Sequence, residues 1–382
     1  MQIPFTKPRV TGNEILYLQQ SLSTGQVWGG GEFSKWCSSW LETKTGATKA
    51  LLTQSATDAL EMAALLLDLE PGDEVIMPSY TFVSTANAFA LRGARIVFVD
   101  VDKDTQNIQP EAIRTAITHK TKAIVAVHYA GIACDMDAIL GIAEEFDLFL
   151  VEDAAQAISS LYKGRALGSI GDLGCLSFHG TKNVSSGEGG ALLINNPRLA
   201  ERAEVFHEKG TNRSRFLEGL VDKYTWVDLG SSFLPSELTA AVLRAQLEAA
   251  DEINEYRKSA WARYHAAFST AGLEGVCTLP HVPAYATGNG HMFQVLLDEC
   301  IERETYINHM KHQGVQVTSH YVPLHSSPAG ERYGRASGNL PNTDLAGRRL
   351  LRLPIWSAEG LAVEEVAKMA ISTLERLSLE RR

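Results

Sequence analysis

The chain has 382 residues, of which 45% are hydrophobic and 21% charged, the composition of an ordinary globular protein. Its formal net charge of -10 argues against non-specific nucleic-acid binding, which needs a basic surface. Five dispersed cysteines without a CxxC pair indicate reduced thiols of a cytoplasmic protein and no zinc site. Because no apolar run approaches the ~18 residues of a transmembrane helix, we expect no membrane partner.

The first half of the chain alternates short apolar strands with amphipathic helices. Residues 1–35 are predicted to form a polar, glycine-rich arm and loop that lead into a helix over 33–46. Strands are then predicted at 50–53, 74–77, 95–99, 123–127, 149–151, 175–178 and 191–194, and helices at 56–67, 81–91, 110–117 and 136–146. This alternation predicts an α/β fold with a mostly parallel central sheet flanked by helices.

The alternation weakens after about residue 250. A helix over 236–268, short strands over 292–297 and 315–317, and a C-terminal helix over 362–378 are predicted there. We therefore predict a large domain over residues 1–250, which includes the arm, and a small C-terminal α+β domain over residues 251–382.

Lys182 follows the strand predicted at 175–178, in a turn-rich loop. A loop lysine is ordinarily a solvated surface group. Here its neighbours are glycines, which allow close approach of a ligand, and polar side chains: Ser177, His179, Thr181, Ser185, Gly187, Gly189 and Gly190. A desolvated amine in such a loop can attack a carbonyl, as pyridoxal phosphate (PLP) chemistry requires of the lysine that binds this cofactor.

Asp153 ends a buried strand, and a helix is predicted to begin directly after it. One interpretation is a helix cap or first-turn acid that contributes only local stability. The other is a carboxylate paired with the pyridine nitrogen of PLP, with Gln156, three residues on, hydrogen-bonded to the ring hydroxyl. Since ligands bind at the carboxyl ends of parallel strands, Asp153 and Lys182 are expected at the same edge of the sheet.

Residues Gln54–Asp58 lie between a short strand and a helix. Ser55 or Thr57 is either a simple N-cap or, with Ala56, part of a phosphate site formed by free N–H groups and hydroxyls. Ser177 is a further candidate for this site. The sequence has no GxxxxGK[ST] motif, which disfavours a nucleoside-triphosphate site.

Aromatic and histidine side chains form the remaining candidates. Phe82 is either a core aromatic or a ring stacked on the pyridine face, with Tyr80 as the other candidate for that role. In the segment His320–His325 no carboxylate is adjacent to support a metal site. Its turn at Pro323 either presents His325 to a substrate or is a surface loop.

Three motifs together resemble those of the nucleotide-sugar aminotransferases, which are PLP enzymes of fold type I: Ser55–Thr57, Val151–Gln156, and Ser177–Lys182 with Gly187–Gly190. Further matching segments extend the resemblance from about residue 3 to past residue 355. The lysine and aspartate segments are specific when they occur together, and neither is specific alone.

The resemblance implies roles for individual residues. Lys182 would form the Schiff base and Asp153 would pair with the pyridine nitrogen, while the other cofactor contacts would be Ser55, Ala56, Thr57, Phe82, Gln156 and Ser177. The family places an asparagine of the neighbouring subunit on the phosphate, and Ser232 stands at that position here. A homodimer with shared active sites is therefore implied. Substrate contacts are expected from His179, Glu188, His320, Tyr321 and His325.

The implied reaction is transfer of an amino group from L-glutamate to a keto group of a nucleotide sugar. The histidine and glycine pattern of the lysine loop is similar to that of C4-aminating members, which implies a dTDP-4-keto-6-deoxyhexose as acceptor. Other UDP-, GDP- or dTDP-linked keto-sugars, and amination at C3, stay open alternatives. A sugar dehydratase would carry histidine in place of Lys182, and a non-catalytic regulatory protein would lack Lys182 or Asp153.

Overall fold

Short apolar segments bounded by turns form the strands of the protein. The computed structural model describes residues 2–357 and 360–380. Its strands are β1 Lys49–Thr53, β2 Glu74–Pro78, β3 Arg95–Val99, β4 Thr121–Val127, β5 Phe149–Asp153, β6 Leu161–Tyr162, β7 Arg165–Ala166, β8 Leu173–Ser177, β9 Gly190–Ile194, β10 Cys277–Thr278, β11 Ala286–Thr287, β12 Phe293–Leu297, β13 Gly334–Ala336 and β14 Leu350–Leu353.

The α-helices connect and cover these strands. They are α1 Glu14–Thr24, α2 Glu32–Thr45, α3 Ala56–Leu66, α4 Val83–Ala90, α5 Pro110–Ala116, α6 Met136–Glu145, α7 Ala200–His207, α8 Arg213–Leu217, α9 Glu237–Glu248, α10 Ala250–Ser269, α11 Arg303–His312, α12 Pro328–Tyr333, α13 Pro341–Arg349 and α14 Val363–Glu380.

Eight strands form the central sheet in the order β1-β9-β8-β5-β4-β2-β3-β13. The pairs from β8 to β13 are parallel, whereas β9 runs antiparallel to both of its neighbours, β1 and β8. The predicted α/β fold with a mostly parallel sheet is confirmed. The antiparallel turn from β8 to β9 is the segment that carries Lys182, so the lysine loop folds back onto the sheet.

Both faces of this sheet are buried, which explains why its strands are almost continuously apolar. Along β3, Ile96 and Phe98 face one hydrophobic cluster while Val97 and Val99 face the other. Helices α3, α4 and α7 contribute to the cluster of Ile96 and Phe98, and α2, α6 and α9 to the cluster of Val97 and Val99. Two packed layers of helices thus hold the carboxyl ends of the parallel strands in fixed positions.

The C-terminal part of the chain builds a second core. Strands β10, β12 and β14 form a three-stranded antiparallel sheet, against which α10, α11 and α14 pack. Ile3 of the N-terminal arm joins this core and pairs with Val315. Strand β13 leaves this part of the chain and pairs with β3, so the central sheet draws on both predicted domains.

Several predicted elements differ from the structure. Residues 1–35, predicted as arm and loop, contain helix α1, which packs against α9 and ends at the left-handed Gly25. The helix predicted over 236–268 is two helices separated at Ala249, and no glycine or proline marks that break. Residues 315–317 make only an isolated bridge, and residues 154–160 after β5 form turns where a helix start was predicted.

A buried carboxylate fixes the end of β5. Glu152 accepts hydrogen bonds from the backbone N–H groups of Gly168 (2.8 Å), Ile170 (2.6 Å) and Gly171 (2.7 Å). Its second oxygen also lies 2.8 Å from Nε2 of the fully buried His128. Although burial raises the pKa of Glu152, the bonds from His128 and the backbone outweigh it, and the pKa is lowered overall.

We expect Glu152→Ala to lower the free energy of unfolding by about 3–5 kcal/mol, because it leaves three backbone donors and a buried imidazole without their partner. Urea unfolding of the variant checks this. Glu144→Ala, which removes an exposed carboxylate from α6, serves as the control and should change stability little. Equal stability of the two variants would contradict the structural role of Glu152.

Candidate active site

The carboxyl ends of β4, β5 and β8 open into a cavity of about 610 Å³. Val127, Asp153 and Ser177 are the last residues of these strands, and all three line it. The start of α3, the lysine loop and residues from β14 and its neighbours complete the wall. The cavity therefore lies where parallel sheets ordinarily bind ligands.

Lys182 is half-buried in the wall of this cavity. Burial lowers the pKa of its amine from 10.5 to about 8, while the Asp153 carboxylate opposes this shift and Arg352 adds to it. About a tenth of the amine is therefore unprotonated at pH 7, far more than for an ordinary lysine, and this neutral form is the one that attacks a carbonyl.

The Asp153 carboxylate is held by short contacts on both of its oxygens. Thr85 Oγ1 donates to Oδ2 over 2.7 Å, and the backbone N–H of Ala155 donates to Oδ1 over 3.2 Å. Thr81 Oγ1 lies 2.8 Å from Thr85 Oγ1 and orients that hydroxyl. The carboxylate is thus fixed at the floor of the cavity without a basic partner from the described chain.

Helix α3 begins at the cavity wall. Ser55 is its N-cap and its hydroxyl accepts the N–H of Asp58, while Thr57 Oγ1 lies 2.7 Å from Ser84 Oγ. Ser55, Ala56 and Thr57 all line the cavity, and Ser55 caps the helix whose N-terminus faces it; a phosphate site formed by this segment stays a prediction. A Cβ on Gly190 would lie 2.4 Å from the Ser55 carbonyl carbon, which is why glycine is required there.

Gln156 and Tyr321 form one hydrogen-bonded unit in the cavity wall. Gln156 Oε1 accepts the N–H of Ala130 (2.7 Å), and its Nε2 donates to the Tyr321 hydroxyl (2.8 Å). Phe82, which precedes α4, is 56% exposed, and its ring centroid lies 6.3 Å from that of Tyr321. Phe82 is thus a cavity side chain instead of a core aromatic, whereas Tyr80 is buried.

The substrate-contact candidates that line the cavity occupy two positions. His179 and Glu188 lie at the open side of the cavity, 3.7 Å apart. His320 lies deeper, with Nδ1 2.7 Å from the Tyr129 hydroxyl, and it stacks on Tyr321 at 3.6 Å between ring centroids. Burial, together with Arg352 and Lys182, holds the pKa of His320 well below its usual value, so the ring is neutral.

Two predicted site residues lie outside the cavity wall. His325 Nδ1 lies 2.8 Å from Ser79 Oγ, and the His325 N–H donates to the same hydroxyl, so this ring belongs to the support of the loop and not to a substrate site. Ser232 is exposed, and its carbonyl accepts a hydrogen bond from Gln54 Nε2 (2.6 Å). A role for Ser232 in a neighbouring subunit stays a prediction.

Sequence reasoning missed several cavity residues that lie far apart along the chain. Thr85 holds Asp153, and Arg257, His291 and Arg352 line the wall. His291 Nδ1 lies 2.9 Å from Asn183 Oδ1, next to Lys182 in sequence. These residues belong to no recognisable local motif; only their placement by the fold brings them together.

The cavity fits PLP by the chemistry of its side chains. It combines an amine of lowered pKa, a carboxylate without a cationic partner, a helix N-terminus and the exposed ring of Phe82. Within residues 2–357 and 360–380, no group of three or more His, Cys, Asp or Glu side chains is arranged to hold a metal ion. No helix in the described part of the chain is both long and apolar enough to cross a membrane.

Comparisons with known proteins agree with this site. The aminotransferase TlmJ from Streptoalloteichus hindustanus superposes with a TM-score of 0.90 at 31% identity, covering 99% of this chain and 100% of TlmJ. S. venezuelae DesV, solved with a ketimine intermediate, gives 0.88 at 29% identity over 99% of this chain and 98% of DesV. Fold and cavity define the protein as a PLP-dependent aminotransferase of fold type I.

The family is also shown by sequence. The model of the DegT/DnrJ/EryC1/StrS aminotransferase family matches residues 8–372, and the chain belongs to this family. An uncharacterised protein of Methanocaldococcus jannaschii is 34% identical over 318 residues, which are 81% of this chain and 82% of that protein. The expected family, fold and cofactor are thereby confirmed.

We expect the rate at which PLP binds covalently to the cofactor-free chain to rise with pH and to be half-maximal near the Lys182 pKa of about 8. The protonated amine has no free electron pair, so only the neutral fraction reacts. Visible absorbance recorded after rapid mixing measures the rate. Lys182→Arg should show no covalent binding, and a half-maximal rate near the ordinary lysine pKa of about 10.4 would contradict the desolvation of Lys182.

Proposed function

We propose that the enzyme transfers the amino group of L-glutamate to the C4 keto group of a dTDP-4-keto-6-deoxyhexose, giving dTDP-4-amino-4,6-dideoxygalactose and 2-oxoglutarate. The observation that carries this proposal is the cavity in which Lys182 and Asp153 lie beneath an open side lined by His179 and Glu188. Such a site offers one reactive amine to two successive substrates.

Similarity in three segments supports the choice of acceptor. Met77–Asn87, Lys209–Arg213 and Asp222–Trp226 are similar to segments of dTDP-4-amino-4,6-dideoxygalactose transaminase of enterobacterial common antigen synthesis. The solved structure of Spr1654 from Streptococcus pneumoniae, described as a putative sugar aminotransferase in its PLP form, is 26% identical and has a TM-score of 0.89. Sugar amination is thus the activity that the relatives favour.

The cofactor contacts proposed for this chain follow from the cavity wall. The N–H groups at the start of α3, with Ser55, Ala56, Thr57 and Ser177, would hold the phosphate. Phe82 would cover one face of the ring, and Gln156 would contact the ring hydroxyl through its amide. Asp153, fixed by Thr85, would keep a proton on the pyridine nitrogen.

Lys182 acts twice in the proposed reaction. When bound, PLP withdraws electrons from the carbon that carries the transferred amino group and makes its C–H bond acidic. The neutral Lys182 amine would take the proton from Cα of L-glutamate in the first half-reaction, and its protonated form would give a proton to C4 of the sugar in the second. His179, Glu188, His320 and Tyr321 are the side chains proposed to contact the sugar.

The second core, formed around β10, β12 and β14, supports the proposed division into two domains at residue 250, and the cavity draws on both. Lys182 and Asp153 come from the first part, while His320, Tyr321 and Arg352 come from the second. A cytoplasmic location is proposed as well, and the free thiols of all five cysteines agree with it.

We further propose a homodimer, because two segments of the described chain expose several apolar side chains each. The first is α1 with the loop after it, and its exposed residues include Ile15, Leu16, Leu22 and Trp28. The second runs over residues 216–229, where the exposed side chains are Phe216, Leu217, Leu220, Tyr224, Trp226, Val227 and Leu229. The chain after the second segment returns to the loop after α1, where Glu237 N donates to the Val27 carbonyl (3.1 Å). Large exposed apolar surface ordinarily marks a protein interface.

The activity is tested by incubating the holoenzyme with L-glutamate and a panel of 4-keto and 3-keto nucleotide sugars. We expect the dTDP-linked 4-keto sugar to give the highest kcat/KM and NMR of the product to show an axial amine at C4, as the galactose configuration requires. Preference for a UDP- or GDP-linked acceptor, or amination at C3, would refute the proposed substrate. The assignment to the PLP-dependent aminotransferases would still hold.

Variants test the residues. Lys182→Ala should lower kcat by at least about 10³-fold, and Asp153→Asn by about 10²-fold while the cofactor stays bound. Lys122→Ala, which alters an exposed lysine of β4, is the control and should keep wild-type kcat. Full turnover by Asp153→Asn would refute its pairing with the cofactor nitrogen.

The dimer is tested by light scattering of the eluting protein, which should give twice the mass of one chain. Trp226 is 76% exposed, and we expect Trp226→Glu to weaken dimerisation by about 30-fold or more because it places a charge in an apolar interface. Tyr256→Glu, which changes a 40% exposed aromatic of α10 outside the two segments, should leave the dimer intact. A monomeric wild-type protein would rule out shared active sites.

A further inference from the structure

Four polar side chains form a buried cluster beside the lysine loop, and none of the proposed roles uses them. Asn183 directly follows Lys182, Asn254 lies on α10, and Asn289 and His291 precede β12. All four are at least nine-tenths buried. Because burying an amide or an imidazole is costly unless its polar atoms are paired, the hydrogen bonds within this cluster determine what it can do.

The hydrogen bonds of Asn183 fix which nitrogen of His291 carries the proton. Asn183 Nδ2 donates to the Asn289 carbonyl over 3.0 Å and to Asn254 Oδ1 over 2.8 Å. Because a backbone carbonyl only accepts, the amide nitrogen of Asn183 must face Asn289, and the amide oxygen then faces Nδ1 of His291 at 2.9 Å. Burial holds the pKa of His291 well below its usual value, so the ring is neutral and its single proton lies on Nδ1.

Asn289 connects the cluster to the turn after β5. Its Nδ2 donates to the carbonyls of Gln156 and Ile158, both over 2.9 Å, and its Oδ1 accepts the backbone N–H of His291 over 3.0 Å. Buried side-chain bonds thus join three parts of the chain that are far apart in sequence: the turn after β5, the lysine loop and the segment before β12.

The lysine loop depends on the cluster for its position. Within the loop, the backbone N–H of Lys182 donates to the His179 carbonyl over 2.9 Å, and that of Gly180 donates to the Gly187 carbonyl over 2.8 Å. These bonds fix the shape of the loop, whereas the side chain of Asn183 fixes the loop against α10 and the segment before β12. A displacement of a reacting group by about 1 Å can cost about 10²-fold in rate.

The ring of His291 offers two nitrogens, and the protein holds one of them. Nδ1 donates to Asn183, whereas Nε2 makes no hydrogen bond with the residues that the structure describes. Since His291 also lines the cavity, two roles follow from its chemistry: support of the lysine loop through Nδ1, or contact with a substrate through Nε2. The atom with the buried partner favours the first role.

We propose that His291, acting through the Nδ1 hydrogen bond to Asn183, is a positioning residue that holds Lys182 in the cavity wall. This inference rests on the proposed role of Lys182 and goes beyond it, because it assigns a function to a histidine more than a hundred residues away along the chain. Loss of the bond displaces the amine from its substrate and lets water reach it, so it slows the reaction without weakening the binding of the amino donor.

The experiment separates the two nitrogens of His291. His291→Asn places an amide N–H near the position of Nδ1 and keeps a donor for Asn183, whereas His291→Gln places its amide near the position of Nε2 and loses that donor. Asn183→Ala removes the acceptor, and the double variant Asn183→Ala/His291→Gln completes a mutant cycle. His312→Gln, which changes an exposed histidine of α11, is the matched control.

Two measurements are made on each variant. The holoenzyme is mixed with L-glutamate alone, and cofactor absorbance and released 2-oxoglutarate give the rate constant and the apparent Kd. On the cofactor-free chain, the rate of covalent PLP binding is recorded against pH. Asp153, Arg352 and His320, the charged or titratable groups that act on Lys182 beside His291, are present in every variant. Melting temperatures establish that each variant is folded.

We expect His291→Gln and Asn183→Ala each to lower the rate constant with L-glutamate by about 30–100-fold, while the apparent Kd changes less than about threefold. The pH of half-maximal PLP binding should rise from about 8 by about one unit, toward the ordinary lysine value of about 10.4. His291→Asn should stay within about threefold of the wild-type rate constant. The double variant should be no slower than the single variants, because one bond is lost in all three.

Several results would overturn the inference. If His291→Gln keeps the wild-type rate and His291→Asn loses it, Nε2 is the atom that matters. If His291→Asn loses as much as His291→Gln, or if the two single effects multiply in the double variant, the bond to Asn183 is not what His291 contributes. Should His291→Gln not fold, Asn183→Ala and His291→Asn carry the same comparison.

Failure of the proposed function gives a different result. A wild-type chain that binds no PLP covalently would refute the role of Lys182 itself. A wild-type holoenzyme that binds PLP but does not react with L-glutamate would refute the proposed donor, and the pH dependence of PLP binding would still test His291.

Discussion

A lysine amine attacks a carbonyl only after it loses its proton, and the arrangement of this site depends on how the protein removes that proton from Lys182. The amine lies in the wall of a cavity, where burial lowers its pKa to about 8. Asp153 opposes the shift, so the proposed pairing of its carboxylate with the cofactor requires a position that does not restore the proton to Lys182. The balance between burial and the carboxylate requires rigid placement of both groups.

Two sets of hydrogen bonds in and beside the sheet keep Asp153 and Lys182 in place. Asp153 follows Glu152, whose carboxylate is held by the backbone of the turn 168–171, so the end of β5 cannot shift without breaking a buried network. Lys182 lies on the turn between β8 and the antiparallel β9, and five register pairs fix those two strands together. Each group therefore depends on backbone hydrogen bonds and not on a flexible loop.

The fold and the placement of Lys182 and Asp153 in one cavity were predictable because they depend on local pattern. Apolar strands ending in polar residues predicted the carboxyl edge of a parallel sheet, and Lys182 and Asp153 lie there. Helix α1 was missed since its outward face is apolar, as in Ile15 and Leu22, and it follows no amphipathic pattern. The break at Ala249 has no sequence signal, because neither glycine nor proline stands there.

The remaining wall of the cavity could not be predicted for a different reason. Arg352 and Thr85 both line the cavity although they lie 267 residues apart along the chain (352 − 85). Arginine and threonine are common on protein surfaces, so the residue type alone does not predict this placement. His325 was predicted to contact the substrate because it follows the cavity residues His320 and Tyr321 closely in sequence. The turn at Pro323 instead directs its ring to Ser79. Adjacency in sequence says little about a side chain that follows a turn.

Strand β13 has a consequence for how the molecule assembles. It pairs with β3 at the edge of the central sheet, where Gly334 stands beside Ile96. The sheet of the first half is therefore completed only by residues that leave the ribosome near the end of synthesis. In the same way, Ile3 can form its bridge only after Val315 has been made. Until then the edge of β3 lacks its hydrogen-bond partners, and such an edge invites pairing with another chain. A nascent chain with such an unpaired edge is prone to aggregate until β13 has been made.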